Sequence, residues 1–165
     1  MHTISHDSEI PAEGKQVFTA CAFIHRNFDG VEKVFWPKRA STKKFLPDVR
    51  ELPGGHVDFG EEMATGLQRE IREEFGMDIE VGDPFFVFTY TNDIKGSHSI
   101  EVVYFARFVG DIDAIKLNPE DHSDYVWCAE DEIEANLTGG KTTDDAEVTA
   151  MRKGFGLLRG ESVGF

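Results

Sequence analysis

Residues 54–77 read GGHVDFGEEMATGLQREIREEFGM, and this stretch governs the reading of the chain. It opens on a loop with Gly54, Gly55 and Gly60, residues that let a backbone turn tightly and approach a ligand closely. Such a loop alone signals only a turn. The residues after Gly60 have a helical period. At about 100° per residue, Ala64, Leu67, Ile71 and Phe75 fall on one apolar arc. Gly76 stands where a helix commonly ends. The spacing predicts a helix from about Glu61 to Phe75. On a neighbouring face Glu70, Glu73 and Glu74 sit at i, i+3 and i+4, where like charges repel, and the helix dipole disfavours anions near its C-terminus. A bound divalent cation would offset both costs. An oxygen donor set with no histidine at this spacing suits Mg²⁺ or Mn²⁺ better than Zn²⁺.

Outward from this segment, residues 15–26 and 31–37 read as strands, separated by a turn over residues 27–30. Beyond the helix, residues 79–91 and 99–109 read as an antiparallel pair, and residues 125–128 as a short strand. An acidic helix is expected from about Glu130 to Leu137, and a last helix from Thr142 or Thr143. Thr142 with Asp145 has the form of a capping box, and Val148, Met151, Phe155 and Leu158 recur at helical spacing. The element order predicts an α/β fold, a mixed sheet with helices on its faces.

The chain has 165 residues, enough for one domain with a sizeable core. Residues 15–165 are expected to form that single domain, after a flexible arm over residues 1–14. The net charge of −14 argues against long nucleic acid as a partner but admits a small anion bound through metal ions. No apolar run is long enough to span a bilayer, and the polar N-terminus lacks the pattern of a secretory signal. Cys21 and Cys128 lie in apolar, strand-like stretches and read as small buried hydrophobes. With no disulfide framework, the cytoplasm is the expected compartment.

The segment resembles the Nudix box, G-x5-E-x7-R-E-U-x-E-E-x-G-U with U a bulky aliphatic residue. Here the positions are Gly55, Glu61, Arg69, Glu70, Ile71, Glu73, Glu74, Gly76 and Met77, and every one matches. With average residue usage, a chance match at a given start is about one in a billion. The lead-in, residues 51–54, and the later stretch EDHSDYVW, residues 120–127, also resemble family patterns. The resemblance implies an α/β/α sandwich around a mixed sheet. It implies metal-dependent hydrolysis of a nucleoside diphosphate linked to another group, such as a nucleoside triphosphate or a nucleotide sugar. Glu70 and Glu74 would be metal ligands, Glu73 a further ligand or the residue that activates water, and the Gly54 carbonyl an added ligand. Arg69 and Glu61 would pair and brace the helix. For the general base the order of candidates is Glu73, then Asp121, with Glu120 as its rival. A homodimer is compatible with the resemblance.

One feature stands apart from the resemblance. Between residues 33 and 50 lie Lys33, Lys38, Arg39, Lys43, Lys44 and Arg50 against Asp48 alone. Lys38 or Arg39 is a candidate contact for substrate phosphates, while Lys43 and Lys44 read equally as a solvated loop. His56, in the box loop, is a further candidate, and His122 another residue that could line the site. Asp48, Arg50 and Val126 depart from common family residues, and residues 91–95 lack the Pro or Tyr that marks two subfamilies, so the substrate stays open. Two alternatives remain. One is a ligand-sensing domain without catalysis, disfavoured by the intact carboxylates. The other is an isoprenoid diphosphate isomerase, for which Cys21 is the one early cysteine.

Overall fold

The computed structural model describes residues 12–161. The expected arm lies largely outside them. Its last residues are tied down: the Ala12 and Gly14 amides donate to the Lys95 and Gly96 carbonyls, at 2.8 and 2.9 Å.

Strand β1 (Gln16–Phe28) organises the molecule. Its middle, residues 20–24, is wholly buried, as a strand covered on both faces requires. One edge pairs in parallel with β5 (Ser97–Val109). The other edge is shared. Residues 25–28 pair with β2 (Val31–Arg39), and residues 19–21 with the short strand β3 (Gly54–His56). Strands β1 and β2 therefore part near Ile24, and the residues leading into the box fill the gap, where the Ala22 amide donates to the Pro53 carbonyl at 2.8 Å. The six-stranded sheet is completed by β4 (Asp78–Asn92) beside β5 and β6 (His122–Cys128) beside β2. Strand β4 is an edge, and its register shifts on both sides of Pro84, which has no N–H to donate.

Two helices cover the two faces, giving the expected α/β/α sandwich. Helix α1 (Met63–Phe75) sets Leu67, Ile71 and Phe75 against Ala20, Ala22, Ile24 and Phe35. Two alanines on the central strand leave room for a helix. Helix α2 (Ala146–Leu158) sets Val148, Met151 and Phe155 against Phe23, Trp36 and Val103. Phe23 meets Phe85, Phe105 and Phe155 edge-on, at 5.8, 5.7 and 5.1 Å between centroids. Full burial of such a ring contributes roughly 1.5–3 kcal/mol. Among the described residues, no helix is long and apolar enough to cross a membrane.

The structure corrects several expected boundaries. The first turn shrinks to Asp29 and Gly30, both with positive φ (50° and 92°), the form a two-residue hairpin needs. Helix α1 starts at Met63 rather than Glu61, because the Glu61 carboxylate is turned to the Asp58 amide and to Arg69. The stretch from Glu130 forms two 3₁₀ turns, Glu130–Glu132 and Glu134–Asn136, rather than an α-helix. Neither turn has a buried residue, and Ile133 between them is too little apolar face to hold a longer helix. Thr142 does not cap α2. Its carbonyl closes a turn by accepting from the Asp145 amide at 3.2 Å, and Asp145 caps the helix by accepting from the Glu147 amide at 2.9 Å.

Candidate active site and metal centre

The buried apolar face of α1 fixes the direction of its carboxylates. They lie at graded depth: Glu70 is 3% exposed, the Glu74 side chain 16% and the Glu73 side chain 51%. Strand β3 lays the box loop over the helix, and its glycines set the closeness of the approach. A Cβ on Gly54 would stand 2.0 Å from the Ala20 carbonyl oxygen, inside the β1–β3 pairing. A Cβ on Gly55 would stand 2.5 Å from Oε2 of Glu70. Gly55→Ala is therefore expected to swing the Glu70 carboxylate aside. Mn²⁺ affinity should weaken about 10- to 100-fold, the usual cost of disturbing support around a metal ligand, while Tm in EDTA moves little. Unchanged Mn²⁺ binding by calorimetry would contradict this.

Arg69 ties the loop to the helix. It grips Glu61 with two bonds, at 2.8 and 2.9 Å, donates to the His56 carbonyl at 3.0 Å and to Glu70 Oε1 at 2.8 Å, and lies 3.5 Å from Glu73 Oε2. Gly66 permits this grip, since a Cβ there would meet Glu61 at 2.6 Å. That role was not read from the sequence.

Burial pushes the Glu70 carboxyl up to about 7, even against the pull of Arg69. Burial, then Glu70, Asp121 and Glu51, raise Glu74 well above the ordinary carboxylate range. Glu74 Oε2 and Nδ1 of His122 face each other at 3.9 Å, and neither has a hydrogen-bond partner. Burial holds His122 down to about 4, so it is neutral at pH 7 and supplies no counter-charge. The orphaned atoms and the crowded, buried carboxyls fit a site for a hard divalent cation, because positive charge there offsets both the burial and the mutual repulsion that raise these groups. Among the described residues, no three His, Cys, Asp or Glu side chains stand gathered as a ready ligand set. Glu70 is drawn to Arg69, and Glu73 lies on the open side.

The NUDIX domain model matches residues 16–150 of the chain. The chain belongs to the Nudix hydrolase family. Among sequence relatives, it is 35% identical over 74 residues to the m7GpppN-mRNA hydrolase NUDT17 of Bos taurus. That match covers 45% of this chain and spans only 24% of the length of the relative. Among solved structures, the MutT NUDIX hydrolase from Burkholderia pseudomallei is 25% identical with a TM-score of 0.64, covering 84% of this chain and 97% of that one. The Caenorhabditis elegans Ap4A hydrolase binary complex has a TM-score of 0.69 at 23% identity, over 87% and 98% of the two chains. The MutT protein from Methanosarcina mazei Go1 has a TM-score of 0.66 at 24% identity, over 92% and 97%. These last two likenesses show the fold.

The remaining candidates surround the Nudix box. Arg39 donates to Glu51 at 2.7 Å and to the Phe45 carbonyl at 3.0 Å. Lys38 pairs with Asp124 at 3.0 Å, as does the buried Arg50 at 2.7 Å. Lys43 pairs with Asp121 at 2.8 Å, and the other Asp121 oxygen accepts from Asn118 at 2.9 Å. Nε2 of His56 lies 2.9 Å from Nζ of Lys95, which reaches over from the β4–β5 loop. The structure thus brings Glu70 and Glu73 to Arg69, and sets Glu74 where Glu70, Asp121 and Arg39 act on it electrostatically. Lys38 lies with Asp124, and Glu120 is exposed. Sequence reasoning missed Glu51, Asp124, Lys95 and the buried pair Lys141–Glu147, at 3.2 Å. The signal available was the excess of cations before the box, which in so acidic a chain implies acidic partners elsewhere.

Proposed function

We propose that this Nudix protein hydrolyses a pyrophosphate bond in a nucleoside diphosphate-linked compound, a nucleoside triphosphate or nucleotide sugar, with Mg²⁺ or Mn²⁺. The observation that carries the reading is the Glu74–His122 pair: two buried polar atoms without partners, 3.9 Å apart near the end of the box helix. Glu70 and Glu74 would hold the cation, with the Gly54 carbonyl and Glu73 as further donors. A cation bound there supplies neutralisation of the diphosphate charge and acidifies bound water. Arg69 holds Glu70 and the box loop together, and Glu70 would turn from it toward a bound cation. Glu73 is the best placed base: it is exposed, near Glu70, and held only loosely by Arg69. Asp121 is less suited, since Lys43 and Asn118 occupy both of its oxygens. Arg39, and to a lesser extent Lys38 and His56, are the candidate phosphate contacts. Cys21 gives the isomerase alternative no support, because it is buried in β1 and burial pushes its thiol well up. Small nucleotides are the expected partners and the cytoplasm the expected location. Relatives named for Ap4A, UDP-X and m7GpppN-mRNA are consistent with a phosphoanhydride substrate.

The test is a panel of nucleoside triphosphates, nucleotide sugars and dinucleoside polyphosphates, assayed with Mg²⁺, Mn²⁺ or EDTA. Metal-dependent release of phosphate or pyrophosphate is expected. Glu73→Gln should lower kcat about 10²- to 10⁴-fold, the usual contribution of a general base, with KM little changed. A folded protein that turns over no member of the panel with either metal would overturn the reading.

A further inference from the structure

On the α2 face of the sheet, in the middle of β5, Glu101 stands where strand alternation calls for an apolar residue. Along β5, Ser99, Glu101, Val103 and Phe105 share this face with Thr19, Cys21 and Phe23 of β1. On the edge strand β4, Phe88 lies directly opposite Glu101, with Phe86 and Tyr90 on either side. Phe86, Phe88 and Tyr90 form a continuous strip, with centroids 6.3 and 6.2 Å apart, and all three are half-buried. Phe45, from the loop before the box, lies nearly parallel to Tyr90 at 6.1 Å. The strip is continuous with the metal centre through Arg39, which lies over Phe45 and acts electrostatically on both Glu74 and Tyr90.

Outside the metal centre, Glu101 differs in its partners from three other interior carboxylates. Glu51 has Arg39, Glu70 has Arg69 and Glu147 has Lys141. Among the described residues no cation pairs with Glu101, which is served by neutral donors alone. Burial raises Glu101 above its ordinary value, opposed by the Cys21 thiol, the Thr19 hydroxyl donating at 2.9 Å and the Tyr90 hydroxyl, which favour the ionised form. A half-buried carboxylate beside aromatic rings, held by neutral donors and without a counter-ion, keeps acceptor capacity for a further N–H edge. The rings beside it offer a stacking surface for a planar heterocycle.

We propose that Glu101 is a specificity-determining residue that selects a base presenting two adjacent N–H donors, the ring N–H and exocyclic amino group of a guanine-type edge, stacked on the Phe88–Tyr90 strip. The proposal rests on the reading of the site as one that takes a nucleotide. An ionised carboxylate can accept from both donors together. It loses one bond to hypoxanthine, which lacks the amino group, and it repels the ring-nitrogen lone pair of adenine.

Binding of guanosine, inosine and adenosine, followed by NMR shifts in EDTA, tests this without phosphate, metal or turnover. Guanosine should bind about 10- to 150-fold more tightly than inosine, the range for one hydrogen bond to a charged group, and Glu101→Gln should bring the ratio close to one. Glu101→Asp, which keeps the charge but shortens its reach, should fall between. In the hydrolysis assay the kcat/KM ratio of GTP to ITP should collapse in parallel. Equal binding of guanosine and inosine by the wild-type protein would overturn the proposal, as would a preference that survives Glu101→Gln. A Glu101-dependent preference in a protein that hydrolyses nothing would sink the hydrolase reading alone. Hydrolysis indifferent to the base would sink this inference alone.

Discussion

Glu74→Gln is expected to lose on the order of 10²- to 10³-fold in kcat, since metal-assisted charge stabilisation is worth several kcal/mol and each ~1.4 kcal/mol is tenfold. The same substitution should make the metal-free protein more stable at pH 8. Glu74 is raised above its ordinary value of 4.5, by burial first and then by Glu70, Asp121 and Glu51. The native state therefore holds this proton more tightly than the unfolded chain does. Its contribution to stability is full below about pH 4.5 and is lost as pH rises through the raised value. A neutral glutamine escapes that loss. Thermal unfolding in EDTA should give the variant the higher Tm at pH 8, with the gap closing toward pH 4. Added Mg²⁺ should reverse the order by stabilising the wild type alone. A variant less stable than wild type in EDTA at pH 8 would show that Glu74 is satisfied without a cation.

Glu147→Ala should be the most damaging single truncation outside the metal centre. Glu147 is fixed by Lys141 at 3.2 Å, by the indole N–H of Trp36 at 3.2 Å and by the Leu52 amide at 2.8 Å. Lys141 is itself buried and donates to the Arg50 carbonyl at 3.0 Å. One carboxylate thus joins α2, the core tryptophan and the lead-in to the box. Its removal takes the nearest carboxylate from a buried ammonium, leaving it the Arg50 carbonyl and Asp145 at 3.7 Å, and strips the indole N–H and the Leu52 amide of their acceptor, a loss of about 3–5 kcal/mol. Urea unfolding monitored by Trp fluorescence should show this as a lower midpoint. Replacing Lys141 and Glu147 together by methionines should cost much less, because no unpaired charge remains. A single variant within about 1 kcal/mol of wild type would mean that the pair is dispensable.

The parts legible in the sequence were those with a period or a dense local pattern. Strand β1 was visible because its apolar run is unbroken, and α1 because Leu67, Ile71 and Phe75 repeat at helical spacing. The acid face of α1 was visible by the same geometry. Strand β3 was not, since three residues beginning with two glycines carry no strand pattern and owe their conformation to β1. The true cap of α2 was hidden because Thr142 and Asp145 are both good caps. The counter-ions of Lys38, Arg39, Lys43 and Arg50 lie 12 to 86 positions away in the chain (Glu51 nearest Arg39, Asp124 farthest from Lys38), and no local pattern announces such pairs. Glu101 sits in a strand that was foreseen, but alternation gives the face of a residue and not whether a helix covers it.

The parallel pairing of β1 with β5 joins Gln16 to His98 and Ile24 to Ala106, with the whole box between them. A chain leaving the ribosome exposes its box long before it has the strand that completes the middle of the sheet. Until residues 97–109 emerge, the apolar side of α1 has only part of its platform, and loop closure across that distance must precede the contacts that reward it. The helix is too short to persist unaided. Folding should therefore be slow for a protein of this size and late in synthesis, with the acidic ladder of α1 assembled only when the sheet closes.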